Sequence, residues 1–196
     1  MKHTKTYFKI ILLLLSLLLS ACFGSPGSVP EDRFYKIKIA APEVVASKYK
    51  RITIKKVYAY GLYNERAILY SKAEMPLQIK RYHYHHWVMP PTQIIQHGLK
   101  EYLIQSRIAK TVIEQAVSRG RGLQISAELL AFERIIRQSE QLAHVKLEFE
   151  VKYPDGRYRS YQYSRKVKAG RNTLHATAEA YGVALASIFR QLLGEL

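Results

Sequence analysis

The chain is short of cysteine, of acid and of long apolar runs, and each shortage closes a class of answers. Cys22 is the only cysteine. Without a second thiol there is no internal disulfide and no cysteine-pair zinc site. Asp and Glu number 15 against 31 Lys and Arg, for a formal charge of +16. Glu128 and Glu133 could pair with other acids, but ion pairs with this surplus of bases are the simpler account of them. No Gly-x-Ser-x-Gly and no phosphate-cradling glycine loop precedes a helix. No catalytic residue, cofactor or enzyme activity is therefore expected. The main apolar run, Ile10 to Leu19 broken only by Ser16, has about ten residues where a bilayer span needs about 20.

That short run has the anatomy of an export signal instead. Lys2, Lys5 and Lys9 precede it, and Leu19-Ser20-Ala21-Cys22 closes it like the lipobox of a bacterial lipoprotein. Small residues at 20 and 21 admit a peptidase, and the Cys22 thiol can take diacylglycerol. Two or three acyl chains, at about 0.8 kcal/mol per buried CH₂, make a stable anchor. The expected organisation is a signal peptide over 1–21, a lipidated Cys22 with a flexible tether over 22–32, and one folded domain over 33–196. The tether is rich in Gly, Ser and Pro and has no period. Phe23 stands where Asp would resemble an inner-membrane retention signal. The expected location is the cell envelope of a Gram-negative bacterium, on the inner leaflet of the outer membrane, facing the periplasm.

Removing the three lysines before Cys22 leaves 16 − 3 = +13 on the rest of the chain. An anionic partner follows from that excess. Lys and Arg are spread along the whole domain, and the export signal keeps it from the cytoplasm, so nucleic acid is not expected. The cations read as solvated faces, some near anionic lipid. The densest run is Lys48, Lys50, Arg51, Lys55 and Lys56.

The domain is organised around residues 81–91, Arg-Tyr-His-Tyr-His-His-Trp-Val-Met-Pro-Pro, which hold the only Trp. Before this stretch apolar residues alternate, as in strands; after it they recur at three and four. A residue before Pro is pushed out of the α region, and Pro91 suits the first turn of a helix. The spacing predicts strands over 34–39, 52–58 and 67–70, with a turn over 61–66. It predicts a helix over 91–106, with Gly98 costing about 1 kcal/mol unless something approaches its backbone closely. The run from Ile108 to Val117 fits more helix, or its part from Ile108 to Ile113 a short strand, and residues 119–122 form a loop. Strands follow over 123–132 and 145–153. Tyr153-Pro154-Asp155-Gly156-Arg157 turns the chain into a partner strand. Asn172 or Thr173 caps a last helix whose stripe runs from Leu174 to Leu192. On a regular strand His83 and His85 share one face and His86 takes the other. Two ligands on a face are too few for zinc, so no metal is expected.

Taken together these features resemble the ABC-type transport auxiliary lipoproteins, the family that includes the lipoprotein of the paraquat-inducible intermembrane transport system. The likeness runs from about Phe34 to Leu193. Its most specific part is Tyr82, Tyr84, His85 and Trp87 followed by Pro90 and Pro91, which is similar to the family's Tyr-x-Tyr-His-x-Trp-x-x-x-Pro signature; His86 stands where the family's pattern carries Arg. Phe34-Tyr35-Lys36-Ile37, Ile68-Leu69-Tyr70, Phe132-Glu133 and the Ala-rich last helix support it. The resemblance implies an α/β domain with a mixed sheet flanked by helices. It also implies a non-enzymatic role beside a mammalian-cell-entry (MCE) domain protein that carries phospholipid between membranes, with this chain as a homo-oligomer. The residue types alone also allow an anchored domain that binds a cell-wall or envelope-assembly partner without moving lipid.

Overall fold

The computed structural model describes residues 30–114 and 122–196. The expected signal peptide, Cys22, the tether up to residue 29 and residues 119–121 of the expected loop lie outside the described residues. Among the described residues the elements run β1 (Arg33–Tyr35), β2 (Tyr49–Ala59), a 3-10 turn (Gly61–Asn64), β3 (Ala67–Lys72), β4 (Met75–Trp87), α1 (Pro91–Ser106), β5 (Ala109–Glu114), β6 (Leu123–Ile136), β7 (Gln141–Lys152), β8 (Tyr158–Lys168) and α2 (Leu174–Glu195). The strands make one mixed, eight-stranded sheet, and the two helices pack on it. This is the α/β architecture expected.

β6 is the strand the others depend on. One edge pairs antiparallel with β7 along its whole length. The other edge holds two parallel neighbours in succession, β2 beside Leu123–Leu129 and β3 beside Arg134–Ile136. From β2 the sheet continues to β5, and from β3 through β4 to β1. Leu123, Ile125, Ala127 and Leu129 alternate onto the buried face, as their spacing predicts. The register against β7 then shifts between Leu129 and Ala131. That bulge reverses the alternation, so Phe132 and Arg134 turn to the helices and Glu133 turns away.

β7 and β8 form the regular part. Their pairing runs from Leu142↔Lys168 to Lys152↔Tyr158 without a break. Val145, Leu147, Phe149 and Val151 are fully buried, each contributing roughly 1.5–3 kcal/mol. The connecting turn closes through Tyr153 N–H to Arg157 O, with Gly156 at φ 92, as the Pro-Asp-Gly sequence requires. The side chain of Thr173 accepts from Ala176 N–H at 3.2 Å and so caps α2.

Of the run left open between helix and short strand, Ala109–Glu114 form a strand, β5, parallel to β2; Arg107 takes a left-handed backbone (φ 59) that ends α1, and residues 115–117 of the run lie outside the described residues. One sequence expectation needs correction. The strand expected over 34–39 stops at Tyr35. Beyond it the chain leaves the sheet as an extended strap that lies against both helices. Lys38 O lies against Gly182 of α2, and the Ile39 side chain lies against Gly98 of α1, where a Cβ would collide in each case. Gly98 is thus explained by a close approach. The strap finishes at the end of α1, where Val45 N–H reaches Ser106 O at 2.9 Å and satisfies a carbonyl that the helix itself cannot.

Candidate functional site

The aromatic stretch occupies the last half of β4 and the turn into α1. Trp87, 1% exposed, stands edge-on to Tyr181 of α2 (5.2 Å) and Phe132 of β6 (5.6 Å), which stack on each other at 4.3 Å. Such pairs add about 0.5–1.5 kcal/mol beyond the area they bury. The backbone is held as firmly: Trp87 N–H donates to Arg66 O (2.7 Å), Arg66 Nε returns to Trp87 O (3.2 Å), and Val88 N–H donates to Tyr35 O (3.1 Å). Pro90 is extended (φ −53, ψ 143) and its carbonyl accepts from Ile94 N–H, with Pro91 as the first helical residue. Trp87 and the two prolines therefore set where α1 leaves the sheet.

Upstream, β4 departs from a regular strand. Between the pairs Ala67↔His86 and Leu69↔Arg81, two steps of β3 oppose five of β4 (69 − 67 against 86 − 81). The extra residues break the regular alternation on which His83 and His85 would share a face. Tyr82 and His85 come together instead, their rings T-shaped at 5.6 Å. His85 Nδ1 meets Tyr35 OH at 3.0 Å, and the Tyr82 ring lies 4.6 Å from Tyr70. Arg134 Nη1 donates to Tyr82 OH at 2.7 Å and Nη2 to Asn172 Oδ1 at 2.9 Å, just before the cap of α2. Arg134 is 6% exposed, and its two partners are neutral. Burial lowers the His85 pKa, helped by the charges of Arg33 and His86, so the ring is neutral at pH 7. Burial raises that of Tyr82, against the pull of Arg134. The arrangement joins β1, β3, β4, β6 and the start of α2 through polar side chains; it is a positioning network.

Tyr84 is 41% exposed. His83 is exposed beside it, and His86 reaches Asp32 at 3.4 Å while packing on Phe34. Among the described residues no three His, Cys, Asp or Glu side chains converge. Sequence reasoning missed Arg134 and Asn172, since only the bulge in β6 turns Arg134 toward the helices. It also missed a second network on the opposite face. There Tyr63 OH donates to Glu133 Oε2 at 2.6 Å, His144 Nδ1 sits 3.5 Å from Glu133 Oε1, and His144 Nε2 lies 3.2 Å from Ser164 Oγ. Burial would raise the Glu133 pKa, but the bonds from His144 and Tyr63 outweigh it and the net shift is downward. An apolar groove of about 390 Å³ opens where the strap meets α1, lined by Ile37, Ile39, Met89, Ile94 and Tyr102 among others.

Fold and hub together describe a mixed α/β domain with its helices strapped against the sheet. No family model matches the chain, and no curated protein matches it. Solved structures do share the fold. Protein XCC0632 from Xanthomonas campestris, of the family DUF330, superposes with a TM-score of 0.69 at 17% identity, over 83% of this chain and 93% of that one. An uncharacterized protein superposes at 0.67 with 11% identity, over 85% and 99%. A PelC dodecamer from Paraburkholderia phytofirmans aligns at only 0.44 with 14% identity, over 78% and 92%, too low to count as a shared fold.

Proposed function

We propose that this chain is a non-enzymatic auxiliary lipoprotein of an ABC/MCE-type system that moves phospholipid between membranes. It is anchored through Cys22 and works as a homo-oligomer on an MCE-domain protein. The observation that carries the reading is how the signature stretch is divided. Trp87, Pro90 and Pro91 are fixed in the fold, Tyr82 and His85 are half-buried in the polar hub, and Tyr84 with His83 stays at the surface. A rigid backbone thus presents an aromatic side chain to a partner at little entropic cost, the arrangement interfaces favour. A photo-crosslinking amino acid in place of Tyr84, activated in living cells, tests it. Capture of an MCE-domain protein is the expected result, and capture of a cell-wall synthesis protein would favour the rival reading. The anchor has its own test: Cys22→Ala should abolish labelling by a fatty-acid probe, since no other residue can form the thioether.

A further inference from the structure

The β3–β4 hairpin ends in an apolar knuckle that nothing in the fold uses. Its pairing closes at Lys72↔Met75, but the register slips between that pair and Tyr70↔Lys80. Residues 76–79 of β4 bow out. Leu77 is 99% exposed and Met75 53% exposed, with Pro76 between them. A fully exposed Leu beside a half-exposed Met and a Pro is an unpartnered apolar tip.

Its surroundings are cationic. Lys72 and Lys80 flank it on the hairpin. Ala73 N–H bonds to Ile136 O, which places the tip beside the β6–β7 turn. In that turn Arg137 and Lys168 share Glu140, at 3.6 and 3.1 Å. Arg171 follows on the exposed loop into α2. Glu74 and Glu140 are the acids set against these cations. An apolar tip in a basic collar matches the section of a lipid bilayer, with phosphate outside and hydrocarbon inside.

We propose that this end of the sheet rests on the surface of an anionic bilayer, with Leu77 and Met75 in the interfacial zone and Lys72, Lys80 and Arg171 on lipid phosphates. The anchor belongs to the function proposed above; the knuckle surface stands without it. The test uses the processed protein reconstituted into vesicles of phosphatidylethanolamine with a quarter phosphatidylglycerol. Acylation consumes the Cys22 thiol, so Leu77→Cys gives a unique site for an environment-sensitive fluorophore. Tyr158→Cys, exposed at the far end of β8, is the control. The label at 77 should shift to the blue and be quenched by nitroxide lipid, while the label at 158 should not. Lys72→Glu with Lys80→Glu should cut the quenching at 77 by about tenfold without changing the melting temperature. A label at 77 that stays in water, or quenching that ignores the anionic lipid, overturns the proposal. So does disulfide cross-linking of Leu77→Cys to a second copy at high dilution in the vesicles, which would make the knuckle a copy-to-copy contact. If Cys22 carries no lipid, mass spectrometry shows its thiol labelled as well. The measurement is then repeated with Cys22→Ser, and the fate of the knuckle is read from position 77 alone.

Discussion

Two hairpins of this sheet show how differently the same local rule can be used. β7–β8 is regular: its pairing is unbroken, its turn is Pro-Asp-Gly, and the inward face of β7 is apolar from Ala143 to Val151. β3–β4 is broken twice in register, yet it carries the aromatic signature at one end and the exposed knuckle at the other. Regular pairing lets one strand face do one thing. Each slip in β4 re-aims side chains, so one strand can feed the core through Trp87, a polar hub through Tyr82 and His85, and the surface through Tyr84 and Leu77. The comparison implies that the irregular arm is as firmly held as the regular one, by side chains where the ladder fails.

The sharpest way to break that claim is Trp87→Ala. Truncating a buried Trp costs about 3–5 kcal/mol, out of the 5–15 kcal/mol that holds a typical domain. Denaturant melts should show a severe loss. A mild one would mean that the irregular arm hangs on a core supplied by β6–β8 alone.

The strap offers a comparison within a comparison. Gly182→Ala sets a methyl against the Lys38 carbonyl, which is backbone and cannot step aside alone. It should cost about 1–3 kcal/mol. Gly98→Ala meets only the end of the Ile39 side chain, and a gain of about 1 kcal/mol in helix propensity offsets that contact. Thermal melts of the pair should therefore differ. Equal stabilities would show that the strap lifts off both helices freely.

These two glycines also show what could be read in advance. The β7–β8 hairpin, the helix after Pro91 and the Thr173 cap were legible, because alternation, Pro chemistry and capping act within a few residues. So was a need for close approach at Gly98. The strap was not legible. Ile37 and Ile39 continue the alternation of Tyr35 as in a strand, but the partners of residues 37–39 are helix glycines about 60 and 140 residues away. The sharing of a face by Tyr82 and His85 was hidden for a similar reason, since a bulge is a property of the pairing and not of either strand. The polar hub depended on a second bulge, at Leu130, that brings Arg134 to it.

The smallest effect concerns pH. His85 is held below its ordinary pKa, so the unfolded chain takes up the proton more readily than the folded one. Its contribution is complete above about pH 6.5 and is lost as the pH falls through the lower folded value. The melting temperature should drop modestly between pH 7.5 and 5, and His85→Gln should flatten that slope. An unchanged slope in the variant would place the sensitivity elsewhere and weaken the part given to the hub.

The way β6 serves two arms on one edge has a consequence for how the chain reaches this shape. Residues 123–196 hold β6, β7, β8 and α2 as near neighbours along the sequence. The parallel contacts of β2 and β3 with β6 close loops of about 60 to 70 residues, which are slow to form. The late segment of the chain is expected to condense first and present the bare edge of β6 as a template. The early segment then docks onto it in two separate pieces, and the strap is laid over the helices last. A chain crossing a membrane from its N-terminus would deliver the early pieces before their template exists, and during that interval β2 and β3 are open strands with nothing to pair with.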